Sequence, residues 1–214
     1  MAVREANTPR IWNLPNQLTI ARLILSVVFF VLLAMETHGE IRNTLVQGRI
    51  KILLNASIAV FLLAVITDFL DGYLARKWGL VSTFGRIADP FADKIVVCGG
   101  FIMLTGVAPR LVEPWFAVVI IFLEFLVSAL RSFLESRGVA FGASLSGKLK
   151  MIIQSVTIVA VLFYEANIAG GSLDTTFTWA IPVILLVLTL VLTVASSVGY
   201  VQRAIQLIRE EASR

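Results

Sequence analysis

One cysteine, one histidine and very little charge set the first limits on this 214-residue sequence. Cys98 stands alone inside an apolar run, which excludes an internal disulfide or a cysteine metal cluster and leaves it as a core filler. His38 falls in a connection far from the acidic residues and takes no role. Charged residues make up 15% of the chain, hydrophobic ones 58%, and mean hydropathy is +0.89. Soluble domains carry about 25% charge, so a soluble fold is excluded. Internal repeats, low-complexity tracts and the inverted symmetry of many transporters are all missing.

What fills the chain instead is apolar helix. A helix needs about 20 residues to cross ~30 Å of hydrocarbon, and runs of that length lie at 14–36, 52–77, 86–107, 114–136, 147–168 and 178–200. Their connections are short and hold the turn-forming residues. The fold class expected is all-α: an integral membrane bundle of six transmembrane helices, one domain over 1–214, with a short arm at 1–13 and a polar tail at 201–214. The first run is long, contains Arg22 and lacks a small-x-small site before Glu36, so it reads as a retained helix and not a cleaved signal.

Positive charge sets the orientation. With the N-terminus in the cytoplasm, 14 of the 18 Lys and Arg residues fall on that side and Arg42, Arg49, Lys51 and Arg110 on the other. The expectation is a bacterial-type cytoplasmic membrane protein with both termini cytoplasmic. The same basic rim accounts for a pI of about 9.6 through anionic lipid headgroups, with no nucleic acid partner. Trp12, Trp115 and Trp179 fall near helix ends, where an interfacial belt belongs.

Against this background residues 68–94, DFLDGYLARKWGLVSTFGRIADPFADK, carry four aspartates. Asp68, Asp71, Gly72, Ala75 and Arg76 follow at i, i+3, i+4, i+7 and i+8, one face of one helix. That face presents two carboxylates, two small residues over which a flat group can approach the backbone, and a guanidinium suited to phosphate. Gly85, Asp89 and Asp93 stand at i, i+4 and i+8 on the next helix, with Pro90 making it start late or bend. If the short connection makes the two helices antiparallel neighbours, the acidic faces meet near the cytoplasmic boundary.

Unpaired carboxylates at membrane depth are costly and repel one another, so cations must sit among them. Oxygen-only donors suit Mg²⁺ or Mn²⁺, and Mg²⁺ completes its shell with water and phosphate, which points to a phosphate-bearing substrate. Four acids allow two metals, or one metal and a base. Interhelical ion pairs with Arg76, Lys77, Arg86 and Lys94, a proton relay, or a cation pathway are the alternatives. Neither ion pairs nor a relay explains the Gly and Ala positions on the same stripe, and a cation pathway calls for polar positions that continue across the bilayer, whereas these acids sit at one end of their helices.

The eight positions Asp68, Asp71, Gly72, Ala75, Arg76, Gly85, Asp89 and Asp93, spread over 26 residues, resemble the complete motif of the CDP-alcohol phosphotransferases. The resemblance implies a six-helix membrane enzyme, a homodimer, that displaces CMP from a CDP-linked alcohol. It implies that Asp68, Asp71 and Asp89 bind two metal ions with help from Asp93, and that Asp93 is the general base. By the same resemblance Gly72 and Ala75 let the cytidine nucleotide lie against the helix, with Arg76 and Gly85 on the CDP-lipid.

Three further stretches, NLPNQLTIAR at 13–22, DPFADK at 89–94 and GKLKMIIQ at 147–154, resemble the branch of that family that joins CDP-diacylglycerol to sn-glycerol 3-phosphate. Leu123 and Met151 depart from it, where Arg and Thr are common. Asn16, Thr19 and Arg22 share a face of the first helix and are candidates for the nucleotide or lipid phosphate. Arg131, Lys148 and Lys150 approach the same rim and are candidates for the phosphate of the acceptor. Glu124, seven residues before Arg131, needs a basic partner. Within the family, inositol phosphate, serine and phosphatidylglycerol remain other acceptors.

Overall fold

In the computed structural model, residues 14–37, 44–78, 83–137 and 145–212 are described. They form α1 (Leu14–Thr37), α2 (Thr44–Trp78), α3 (Thr83–Val107), α4 (Pro114–Ser136), α5 (Leu145–Asn167) and α6 (Thr176–Ala212). His38 lies outside the described residues. Among the described residues five helices, α1, α2, α4, α5 and α6, are long and apolar enough to cross a membrane, and the protein is an integral membrane protein.

The six expected runs are all helical, but two helices are longer. α2 begins at Thr44 and not 52, and α6 continues to Ala212, so residues 201–212 extend the last helix where a separate tail was expected. Hydropathy marks only the part of a helix that sits in hydrocarbon. At about 1.5 Å per residue the 37 residues of α6 reach roughly 55 Å, well beyond the ~30 Å apolar slab. α3 runs from Thr83 through Pro90, so it does not start after the proline.

Local chemistry fixes the ends. α4 opens on Pro114, whose preset φ suits a first helical position. Beyond α5, Gly170 takes φ +70, a left-handed turn that a side chain would strain. Asp174 then accepts hydrogen bonds from the Tyr164 hydroxyl (2.7 Å) and the Gly170 N–H (2.9 Å). These two donors, Tyr164 first, hold its carboxyl below the usual carboxylate range. Thr175 and Thr178 exchange backbone-to-hydroxyl hydrogen bonds at the start of α6 (2.9 and 3.3 Å), a reciprocal cap.

Packing places α1 between α2 and α3, α4 between α3 and α6, and α5 between α6 and α2, with α5 also touching α3 across the ring. Among the described residues α1 packs more extensively on α2 and on α3 than those two helices pack on each other. Phe29, Phe61, Phe101, Leu104, Ile120 and Ile158 fill the core. The outward surface is apolar as well (Ile52, Phe69 and Val118 are exposed), while Asn16, Thr19, Arg22, Glu124, Lys150 and Gln154 are buried. That inversion suits lipid outside and a polar site within.

α1 and α3 approach closely at Gly99, where an added Cβ would fall well inside contact distance of the Phe30 ring. Gly99→Ala is expected to destabilise the protein by about 1–3 kcal/mol through overpacking, read as a lower thermal unfolding temperature in detergent.

Between α1, α2, α3 and α5 lies a cleft of about 560 Å³. Arg22, Asp68 and Asp93 line one end, and Leu62, Val65, Val97, Val156, Val159 and Phe163 are among its apolar walls. Past its far end α2 and α5 are tied by a reciprocal amide pair, Asn167 donating to Asn55 at 3.1 Å and Asn55 to Asn167 at 3.4 Å. From Asp68 back to Asn55 is 13 residues, about 20 Å of helix.

Candidate active site

Asp68, near the end of the apolar part of α2, and Asp93, in the first half of α3, reach the same point through α1. Arg22 Nη1 lies 2.7 Å from Asp68 Oδ1 and also pairs with Asp93 Oδ1. The guanidinium is 1% exposed, and the carboxylates are 32% and 27% exposed toward the cleft. One fixed cation thus holds two carboxylates from two other helices close together. The i, i+3, i+6 spacing of Asn16, Thr19 and Arg22 puts all three on the buried face of α1, each 1% exposed.

Among the expected metal-binding residues, the structure brings Asp68 and Asp93 together. Asp71 lies three residues beyond Asp68 in α2, and Asp89 four residues before Asp93 in α3, each about one helical turn away. The side chains of Asp71, Gly72, Ala75, Arg76, Gly85 and Asp89 lie outside those described. Among the described residues no group of three potential metal ligands occurs, so the described donor set is the Asp68–Asp93 pair.

Two anionic oxygen donors facing an open cleft fit a hard divalent ion that keeps water or phosphate in its remaining positions. Asp68 and Asp93 would hold such an ion, and it would supply positive charge against a pyrophosphate.

The basic candidates separate. Arg131 is half-exposed and pairs with Glu135 on its own helix at 2.8 Å, and Lys148 is exposed. Lys150 is 5% exposed and donates to Glu124 Oε1 at 2.8 Å. Glu124 therefore has the basic partner it was expected to need, on α5. The same Glu124 oxygen accepts from Gln154 Nε2 at 2.8 Å, and Gln154 lies 3.3 Å from Thr193 Oγ1. One turn on, Thr157 and Thr189 share a hydrogen bond of 2.8 Å. α4, α5 and α6 are thus joined by a polar seam.

Sequence reasoning missed this seam, although Gln154, Thr157 and Thr193, polar residues in otherwise apolar runs, were its visible signal. Arg22, a sequence candidate for phosphate, pairs in the structure with two carboxylates that the sequence did not assign to it.

The sequence profile described as CDP-alcohol phosphatidyltransferase matches residues 12–197. A CDP-diacylglycerol–glycerol-3-phosphate 3-phosphatidyltransferase of Bacillus subtilis is 36% identical over 155 residues, covering 72% of this chain and 78% of the relative. Proteins of the same name match from Mycoplasma pneumoniae (34% over 187 residues, 81% and 80% covered) and Rickettsia typhi (39% over 142 residues, 66% and 71% covered). The family generally uses divalent metal ions. The profile contains the acidic motif, α1 with Arg22 and the polar seam, and the chain belongs to the CDP-alcohol phosphatidyltransferase family.

Proposed function

We propose that this enzyme moves the phosphatidyl group of CDP-diacylglycerol to sn-glycerol 3-phosphate, forming phosphatidylglycerophosphate and releasing CMP. The observation that carries the reading is the meeting of Asp68 and Asp93 at the mouth of an apolar cleft. Such a site suits a substrate with a charged pyrophosphate and an acyl chain. The ~20 Å from Asp68 to the amide tie compares with ~15 Å for half a bilayer's hydrocarbon, so one acyl chain fits along α2 and α5.

In this reading Asp93 takes the proton of the acceptor hydroxyl as its oxygen bonds to the lipid-bound phosphorus. The bond from that phosphorus to the bridging oxygen breaks, and CMP leaves with the electron pair. Asp68, Asp71 and Asp89, with Asp93, would hold two Mg²⁺ or Mn²⁺ ions, which would supply positive charge against the departing phosphate. Gly72, Ala75, Arg76 and Gly85 receive the nucleotide. Arg22 fixes the two carboxylates while Asn16 and Thr19 line the same face of α1.

The proposal includes a single domain in the cytoplasmic membrane, termini and active site on the cytoplasmic side, and a homodimer among membrane lipids. The excess of Lys and Arg on that side supports the orientation, and the family resemblance supports the dimer.

Purified protein in nanodiscs, given CDP-diacylglycerol, Mg²⁺ and one acceptor at a time, tests the reading. CMP release with glycerol 3-phosphate and not with inositol phosphate, serine or phosphatidylglycerol is expected. Release with serine alone, or cation flux across proteoliposomes without CMP, overturns it.

A further inference from the structure

The amide pair between α2 and α5 is self-contained. Asn55 Nδ2 donates to Asn167 and to the Lys51 carbonyl (2.8 Å), and Asn167 Nδ2 donates to Asn55 and to the Phe163 carbonyl (3.3 Å). Every N–H of the two amides is thus used within the pair and its own helices, and none is left for a ligand. Both residues lie within membrane spans, where polar groups that pair across helices hold those helices together. The pair is a clamp, and one of its bonds grips the backbone of Phe163.

Phe163 is also where the cleft ends on α5. The lining on that helix runs from Met151 to Phe163, a span of roughly 18 Å at the helical rise. Between these ends the walls carry small side chains, Ala64, Ser155, Val159 and Ala160 among them. Bulk returns at the far end with Leu62 and Phe163, beside the clamp. The shape is a slot that begins at the acids and stops at two large side chains.

We infer that Leu62 and Phe163, held in place by the Asn55–Asn167 clamp, form an end stop that limits the length of the acyl chain on the CDP-linked donor. The inference rests on the donor being CDP-diacylglycerol, as proposed above. Half of a bilayer's hydrocarbon is ~15 Å deep, so a chain matched to the leaflet fits the slot. A longer chain must displace Phe163 or leave the slot. Lipid tails and the cleft walls are equally apolar, so transfer into the slot discriminates little between chains. The selectivity comes from misfit, because extra methylenes pressed against a packed end force side chains and backbone to shift.

The test uses full-length protein in nanodiscs of one fixed lipid composition, with Mg²⁺, glycerol 3-phosphate and pairs of CDP-diacylglycerols in competition. Wild-type protein is expected to prefer the dioleoyl donor to the longer dierucoyl donor by about 10-fold in kcat/KM. Phe163→Ala should cut that ratio to about twofold, through a gain with the dierucoyl donor. Ala160→Phe brings the stop about 5 Å nearer the acids, and should shift preference from the dioleoyl to the dimyristoleoyl donor by about 10-fold. Asn167→Ala should lower the dioleoyl preference as Phe163→Ala does. A clamp that only stabilised the bundle would lower the unfolding temperature and leave the ratio alone, which would remove it from the stop.

Equal use of the dioleoyl and dierucoyl donors by wild-type protein, or unchanged preferences in both Phe163→Ala and Ala160→Phe, overturns the stop while leaving the transferase reading intact. If Phe163→Ala does not fold, Leu62→Ala must lower the ratio in its place. Thermal stabilisation by each donor without acceptor reads the stop independently of chemistry. Wild-type protein stabilised more by the dioleoyl than by the dierucoyl donor, yet releasing no CMP from either, overturns the transferase reading and keeps the stop. Stabilisation by neither donor, with no CMP released, overturns both.

Discussion

Asp93→Asn is expected to lower CMP release by about 10²–10⁴-fold, the usual contribution of a positioned general base, while CDP-diacylglycerol still binds. The amide keeps the shape of the carboxylate but accepts no proton from the attacking hydroxyl. Asp93 stands opposite Asp68 on the Arg22 guanidinium, so the substitution removes one of the two charges Arg22 holds and leaves the other pairing at 2.7 Å. Folding should therefore survive. Single-turnover CMP release separates the two effects: a slow chemical step with near-normal lipid affinity is the expected result, and near-normal turnover removes Asp93 from the base role. Asp68→Asn should instead weaken the response to Mg²⁺, seen as a raised metal concentration for half-maximal rate.

The second large effect is on stability. Arg22→Leu keeps the apolar bulk of the side chain but leaves Asp68 and Asp93 facing each other without their shared cation. Removing one partner of a buried ion pair costs about 3–5 kcal/mol, and the partial exposure of both carboxylates puts the expectation at the lower end of that range. Thermal unfolding in nanodiscs should show it directly. Added Mg²⁺ should recover part of the loss, because a divalent ion between the carboxylates replaces the missing charge. Arg22→Lys should lie between the two, with the charge kept and the planar fork lost. An Arg22→Leu protein that unfolds at the wild-type temperature without divalent ions would show that the guanidinium contributes nothing to the bundle.

Much of this was legible in the sequence because lipid imposes a simple rule on it. Every residue exposed to hydrocarbon is apolar, so the rare charged positions stand out, and helical spacing alone put Asn16, Thr19 and Arg22 on one face. What spacing cannot give is which helix that face meets. The acidic faces of α2 and α3 were expected to meet if the short connection made the helices neighbours; Asp68 and Asp93 do meet, and what spacing did not give is that Arg22 of α1 is the joint. Likewise Glu124 was expected to need a basic partner, and only the meeting of α4 and α5 side chains identifies it as Lys150, with Gln154 beside it. Helix ends were misjudged where polar turns project beyond hydrocarbon, as after Tyr200, because such turns are helical without being oily.

The Arg22 joint has a consequence for how the chain enters the bilayer. α1 is synthesised first, and a helix inserted alone would carry its arginine into lipid at a cost of up to about 3 kcal/mol before any carboxylate arrives. Asp68 enters with α2, the helix against which α1 packs most extensively. The two are therefore best inserted as a hairpin, the arginine and the first aspartate neutralising each other on the way in, and α3 then brings Asp93 to a pair already formed. The ion pairs at the end of the cleft would thus also set the order of assembly.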